Sequence, residues 1–163
     1  MSEEFRDRLR EAARRHLEAY NSPDAWDASA IWQTRDPACE HYLQPAESLE
    51  PQFRGNINEE AHRHFMEYFG PIFSNFRLDV NWEAVDTYNK IVVHDLNCTM
   101  DLKAFGDEPA VCGYQAHYIW TLWFNSDAKV IKVEEMIDIE RIMGVVAKRA
   151  AQYAAWAKSQ KSQ

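Results

Sequence analysis

The stretch Gly113-Tyr114-Gln115-Ala116-His117-Tyr118-Ile119-Trp120-Thr121-Leu122-Trp123-Phe124 decides the fold. Tyr114, Ala116, Tyr118, Trp120, Leu122 and Phe124 recur at every second position, with Gln115, His117 and Thr121 between them. A period of two is the pattern of a β-strand with one buried face. This run, about residues 111–125, is the third of four. The others cover about 76–86, 90–103 and 129–138. Asp86 to Asn89, Phe105 to Pro109 and Asn125 to Ala128 supply turn residues between them. Connections this short join antiparallel neighbours. The second half of the chain therefore reads as one long, curled meander.

Upstream the period changes. Phe5, Leu9, Ala12, Ala13, Leu17 and Tyr20 recur at helical spacing, so the first twenty residues form an amphipathic helix. Its other face, with Arg6, Asp7, Arg10, Glu11, Arg14 and Glu18, mixes both signs and reads as solvated. Asn21-Ser22-Pro23-Asp24 breaks this helix and caps a short second one through about Trp32. Residues 33 to 57 read as irregular, because Pro37, Pro45 and Pro51 forbid a long regular element. A short strand fits only near Cys39 to Leu43. Asn58 caps a third helix to about Phe73. Glu140 to Lys158 is helical, with basic residues toward its end. Helices followed by a meander give an α+β class. The expected form is a cone: helices packed on the concave face of a curved antiparallel sheet around a pocket, with residues 1–163 as a single domain.

Composition narrows the function. Net charge is −8, from 18 Lys and Arg against 26 Asp and Glu, which argues against a nucleic-acid partner or an anionic membrane. Cys39, Cys98 and Cys112 are odd in number and form no C-x-x-C, so a reducing, cytoplasmic setting is expected. No run is long enough to span a bilayer, and Met1 to Arg15 has no signal-peptide core. His62 and His64 are two apart on a helix and point apart, and no H-E-x-x-H occurs, so no metal site is expected. Neither a glycine-rich phosphate loop nor a G-x-S-x-G elbow is present. The aromatic share of 13% suits a ligand cavity as well as a core.

Two polar residues interrupt apolar faces. Ile131, Val133, Glu135 and Ile137 share one face of the last strand, where an idle carboxylate is expensive. Val92, His94, Leu96, Cys98, Met100 and Leu102 form a stripe broken by His94. A lone histidine in such a stripe is more often a satisfied core residue than a catalyst. Tyr114 and Tyr118 project the same way, and their bland reading is aromatic core.

Several segments resemble fungal SnoaL-like (nuclear transport factor 2-like) proteins. They are Thr34-Arg35-Asp36-Pro37-Ala38-Cys39-Glu40-His41 with Leu43 to Leu49, Gly113 to Trp120, and Val130 to Asp138. Shorter matches fall at Asn75-Phe76 and Val92-Val93-His94, so the likeness spans roughly residues 26 to 140. It implies a cofactor-free isomerase or cyclase of secondary metabolism, acting on a meroterpenoid, indole-alkaloid or polyketide intermediate, and a homodimer. It also implies catalytic roles for Arg35, Tyr114, Tyr118 and Glu135. His94, Trp120, His117 and Phe65 are expected to contact the small-molecule substrate. The family commonly carries Asn-Glu before the second tyrosine, where this chain has Ala116-His117. An inward Ala116 reshapes the pocket.

In that reading the tyrosines donate hydrogen bonds to a substrate oxygen and Glu135 moves a proton. Desolvation would make Glu135 an acid, and a close Arg35 would make it a base. Two alternatives stand beside it. One is a scytalone-dehydratase-like lyase, in which a histidine–carboxylate pair would make His94 central. The other is a non-catalytic small-molecule-binding module.

Overall fold

The computed structural model describes residues 3–21 and 28–161. Helix α1 (Glu3–Asn21) buries Leu9, Ala12, Ala13, His16, Leu17 and Tyr20. His16 thus joins the apolar stripe read from the sequence. At its end Asn21 donates to and accepts from the backbone of Leu78, both at 2.7 Å. Helix α2 (Ala28–Trp32) ends where the sequence ends it. The capping expected from Ser22, Pro23 and Asp24 lies outside the described residues.

Strand β1 (Arg35–Gln44) follows, then α3 (Glu59–Phe69). Asn58 caps α3 by accepting from the Ala61 amide at 2.9 Å. The helix stops at Phe69 and continues as a 3₁₀ turn over Gly70–Ile72, because Pro71 cannot donate to the helical ladder. The four expected runs become β2 (Phe73–Asp86), β3 (Ile91–Leu102), β4 (Val111–Phe124) and β5 (Val130–Ile137). The chain closes with α4 (Ile139–Arg141), a π turn (Ile142–Ala147) and α5 (Lys148–Gln160).

The sheet differs from the expected antiparallel meander. It has five strands in the order β1-β5-β4-β3-β2, and β1 pairs with β5 in parallel. The prolines did not forbid β1. Pro37 lies where the register slips, since Arg35 pairs with Val130 but Glu40 already pairs with Lys132. A proline in a bulge on an edge strand costs no ladder hydrogen bond. The free edge of β1 is held at His41, whose carbonyl accepts from the Ile57 amide at 2.7 Å. Its amide donates to Asn56 Oδ1 at 2.9 Å.

A second bulge corrects the face of one residue. Trp123 pairs with Lys132, but Phe124 pairs with Val130, which inserts a residue in β5. Val130, Val133 and Ile137 face inward and are buried, while Ile131 turns outward and is 38% exposed. Glu135 keeps its inward direction. Inner faces of the strands and the helices form one hydrophobic core.

Candidate active site

One cavity opens between α3, the π turn and the concave face of the sheet. Its empty space, with the open mouth and adjoining solvent included, is about 690 Å³. Its walls are apolar, among them Phe65, Phe69, Phe73, Phe76, Met100 and Met143. The polar groups are Tyr20, His41, His62, Tyr118, Trp120 and Glu135.

Glu135 reaches this cavity from β5, directly opposite Trp120 on β4. Its side chain is 13% exposed, and Oε2 lies 3.0 Å from His41 Nε2. Burial raises its pKa from 4.5 to about 7, against partial compensation first from the Trp120 indole and then from Arg35. The indole Nε1 has no full hydrogen bond among the described residues, so its effect is through proximity. Desolvation therefore wins over Arg35, and both protonation states of Glu135 are populated near neutrality.

Arg35 acts at one remove. It is 3% exposed, lies outside the cavity lining, and places Nη1 and Nη2 each 3.4 Å from His41 Nδ1. A guanidinium only donates, so His41 Nδ1 accepts and the ring proton is on Nε2. Burial, then Arg35, holds the His41 pKa well below its usual value, which keeps the ring neutral. His41 Nε2–H thus donates to Glu135 Oε2, and a proton on Glu135 must sit on Oε1. Arg35 also donates to the Tyr20 hydroxyl at 2.9 Å and stacks over the Trp32 ring at 4.8 Å. His62 packs beside His41 with ring centroids 5.7 Å apart. Burial, then Arg35 and His41, pushes its pKa down to about 2.

Of the residues read from the sequence, Glu135, Tyr118, Trp120 and Phe65 line the cavity. Burial holds the Tyr118 phenol well above its usual pKa, so it stays a donor. The remaining placements differ. Tyr114 is on the inward face but at the end of β4 crossed by α4, and its hydroxyl donates to the Arg141 carbonyl at 3.2 Å. It lines a separate surface pocket with Asp138 and Arg141. His117 points to the convex face, where Nε2 meets Asp95 Oδ2 at 3.0 Å and the side chain is 48% exposed. The odd and even positions of β4 face opposite ways, so His117 cannot share a face with Tyr118.

His94 is 1% exposed and also misses the cavity. Its Nε2 lies 3.0 Å from Glu83 Oε2, and Glu83 accepts from Arg10 of α1 at 2.8 Å. That network ties β2 and β3 to α1. His94→Ala is therefore expected to cost about 2 kcal/mol of stability, from a cavity and an orphaned carboxylate, and little turnover. Urea unfolding and steady-state rates check this. A folded variant losing more than about a thousandfold in turnover would restore His94 to the chemistry.

His41, His62 and Tyr20 were not read as site residues in the sequence, where His62 was weighed only as a metal ligand. Their signal was faint but present. Tyr20 sits in the apolar stripe of α1, and His62 shares a helical face with Met66 and Phe69, all three buried. His41 falls within the short strand expected near Cys39 to Leu43, but that strand had no assigned partner, so the sequence did not show which way His41 faces. Among the described residues no group of three or more His, Cys, Asp or Glu is arranged to hold a metal ion. No described helix is long and apolar enough to cross a membrane.

Three solved structures share this arrangement of helices around a curved sheet. BvnE pinacolase from Penicillium brevicompactum superposes with a TM-score of 0.74 at 21% identity, over 93% of this chain and 97% of that one. A SnoaL-like protein from Jannaschia sp. CCS1 gives a TM-score of 0.66 at 13% identity, over 90% and 96%. An ntf2-like protein from Burkholderia pseudomallei gives 0.64 at 11%, over 90% and 98%. The chain has a SnoaL-like, nuclear transport factor 2-like fold. No family model matches it, and no curated protein sequence does either. In this SnoaL-like fold the polar groups of the cavity come from both layers. Glu135, Trp120, Tyr118 and His41 come from the sheet, and Tyr20 and His62 from the helices.

Proposed function

We propose that the protein is an isomerase or cyclase that catalyses, without a cofactor, an acid–base rearrangement or ring closure of a hydrophobic intermediate of fungal secondary metabolism. One observation carries this reading. A carboxyl with a pKa of about 7 faces an apolar cavity and has one oxygen occupied by a histidine of fixed tautomer. Strongly shifted groups in clefts cluster at functional sites, and a pKa near the working pH suits a group that both gives and takes a proton. The sequence motifs around Arg35, Tyr118 and Glu135 support the substrate class, as does the likeness in fold to a pinacolase from a Penicillium. Glu135 Oε1 exchanges the proton, His41 presents that oxygen to the substrate, and Arg35 keeps His41 neutral and oriented. A tyrosine hydroxyl of the cavity lining donates to a substrate oxygen.

Incubating the protein with polycyclic meroterpenoid, indole-alkaloid and polyketide intermediates, with no added metal or nucleotide, tests this reading. A product of unchanged mass is expected. Loss of one water would move the assignment to a lyase. Binding with no conversion would move it to a binding module.

We also expect a homodimer through the convex face. Trp82 and Met136, each 51% exposed, lie there beside Ile119 across the β2–β5 ladders. The Trp123 ring on the same face lies 4.6 Å from Lys132 Nζ. An apolar patch of this kind is rarely left open by a monomer. Light scattering at micromolar concentration should give twice 19.1 kDa, and the 19.1 kDa species alone would contradict the dimer.

A further inference from the structure

Several partners on the cavity floor have no choice of hydrogen-bonding role. Trp32 Nε1–H is always a donor and lies 3.1 Å from His62 Nδ1. That nitrogen therefore accepts, and the proton of the neutral His62 ring is on Nε2. His62 Nε2–H then donates to the Tyr20 hydroxyl oxygen, 3.4 Å away. Arg35 Nη2, also a donor only, reaches the same oxygen at 2.9 Å. Both lone pairs of the Tyr20 oxygen are filled. Its own proton has no acceptor among the described residues, although Tyr20 is 8% exposed and lines the cavity. A nearly buried donor without an acceptor is costly, and a ligand oxygen in the cavity would relieve that cost.

We propose that Tyr20 is the hydrogen-bond donor that grips a neutral oxygen of the substrate, a carbonyl, epoxide or hydroxyl, beside Glu135. This rests on the cavity being the reaction site. The chemical class follows from the charges around it. The buried cation, Arg35, is screened from the cavity by Tyr20 and His41, so no guanidinium is exposed to pair with a carboxylate or phosphate. Negative charge that develops on the gripped oxygen is still felt by Arg35 through the shared Tyr20 hydroxyl. Tyr118 is the competing donor, but its hydroxyl neighbours the Cys98 thiol.

The test uses no turnover, so a failure of Glu135 as the proton-transfer group cannot mimic its failure. Two probes of equal skeleton, 9-fluorenone and its hydrocarbon fluorene, are titrated into the wild-type protein. Fluorenone should bind roughly five- to tenfold more tightly, with its carbonyl stretch at lower frequency than in an apolar solvent. In Tyr20→Phe, which keeps the ring packed 4.8 Å from Trp120, both the affinity gap and the frequency shift should vanish while fluorene binding is unchanged. Trp32→Phe gives an independent check. Without its indole donor, His62 is free to offer Nε2 as an acceptor to the Tyr20 proton, so the shift should shrink with Tyr20 still present. A shift that persists in Tyr20→Phe, a shift lost in Tyr118→Phe instead, or a cavity that admits neither probe would overturn the proposal.

Discussion

Glu135→Gln should lower turnover roughly 10²-fold or more while the protein stays folded. The substitution preserves volume and still accepts from His41 Nε2–H, but it cannot exchange a proton. It should also stabilise the protein above neutral pH, and the sign follows from the pKa. The folded-state value is raised from 4.5 to about 7, so the neutral form is the one the fold favours. Below pH 4.5 the carboxyl is neutral folded and unfolded, and Glu135 costs nothing. As pH rises through about 7 the fold must hold a buried carboxylate. That penalty reaches about 3 kcal/mol, at ~1.4 kcal/mol per pH unit between the two values. Urea unfolding should therefore find Glu135→Gln more stable than wild type by about 3 kcal/mol at pH 8 and by under about 1 kcal/mol at pH 5. A catalytic group that burdens its own fold is the expected signature of a site kept for function. Equal stabilities at pH 8 would count against the burial of this charge.

The protein should unfold sharply in mild acid. His16, His41 and His62 are buried and held neutral, His62 with a pKa of about 2 and the others well below 6.5. Burial is the first cause for each, and the Arg35 cation the second. Their depressed values give stability that is present above pH 6.5 and lost as pH falls. As pH falls below 6.5, unfolding takes up a proton at each of these histidines that stays neutral in the fold and releases one from Glu135. Each net proton taken up costs ~1.4 kcal/mol of stability per pH unit, a large share of the about 5–15 kcal/mol total of a domain. Tryptophan fluorescence and circular dichroism should show a cooperative loss of structure between about pH 5 and 4. A urea midpoint that is the same at pH 7 and pH 5 would show that these rings are not buried neutral.

The meander was legible because period two is a strong signal over strands of this length. β4 carries its inward residues in the order the sequence indicates. What escaped was non-local. β1 was masked by Pro37, which a bulge on an edge strand tolerates, and its pairing with β5 joins segments about ninety residues apart. No local pattern reports such a partner. Without that partner, the direction of His41 on the short expected strand could not be read. Glu135 was legible because a carboxylate in an apolar stripe is costly anywhere. Its acid–base balance was not, because it depends on a neutral histidine standing between Glu135 and Arg35. Tyr114 and Tyr118 look alike in sequence. Only the crossing of α4 over one end of β4 engages the first hydroxyl and leaves the second facing the cavity. His94 shows the reverse case, a polar residue in an apolar stripe whose partner Glu83 on the neighbouring strand makes it structural.

The most direct test of the central claim is the titration of the Glu135 carboxyl itself. Side-chain carboxyl ¹³C resonances of glutamate-labelled protein, followed from pH 5.5 to 9, should include one with a midpoint near 7. That resonance should be missing from Glu135→Gln. If every glutamate has already titrated below about pH 5, in the ordinary range, Glu135 is a plain carboxylate and the acid–base site proposed for this cavity does not exist.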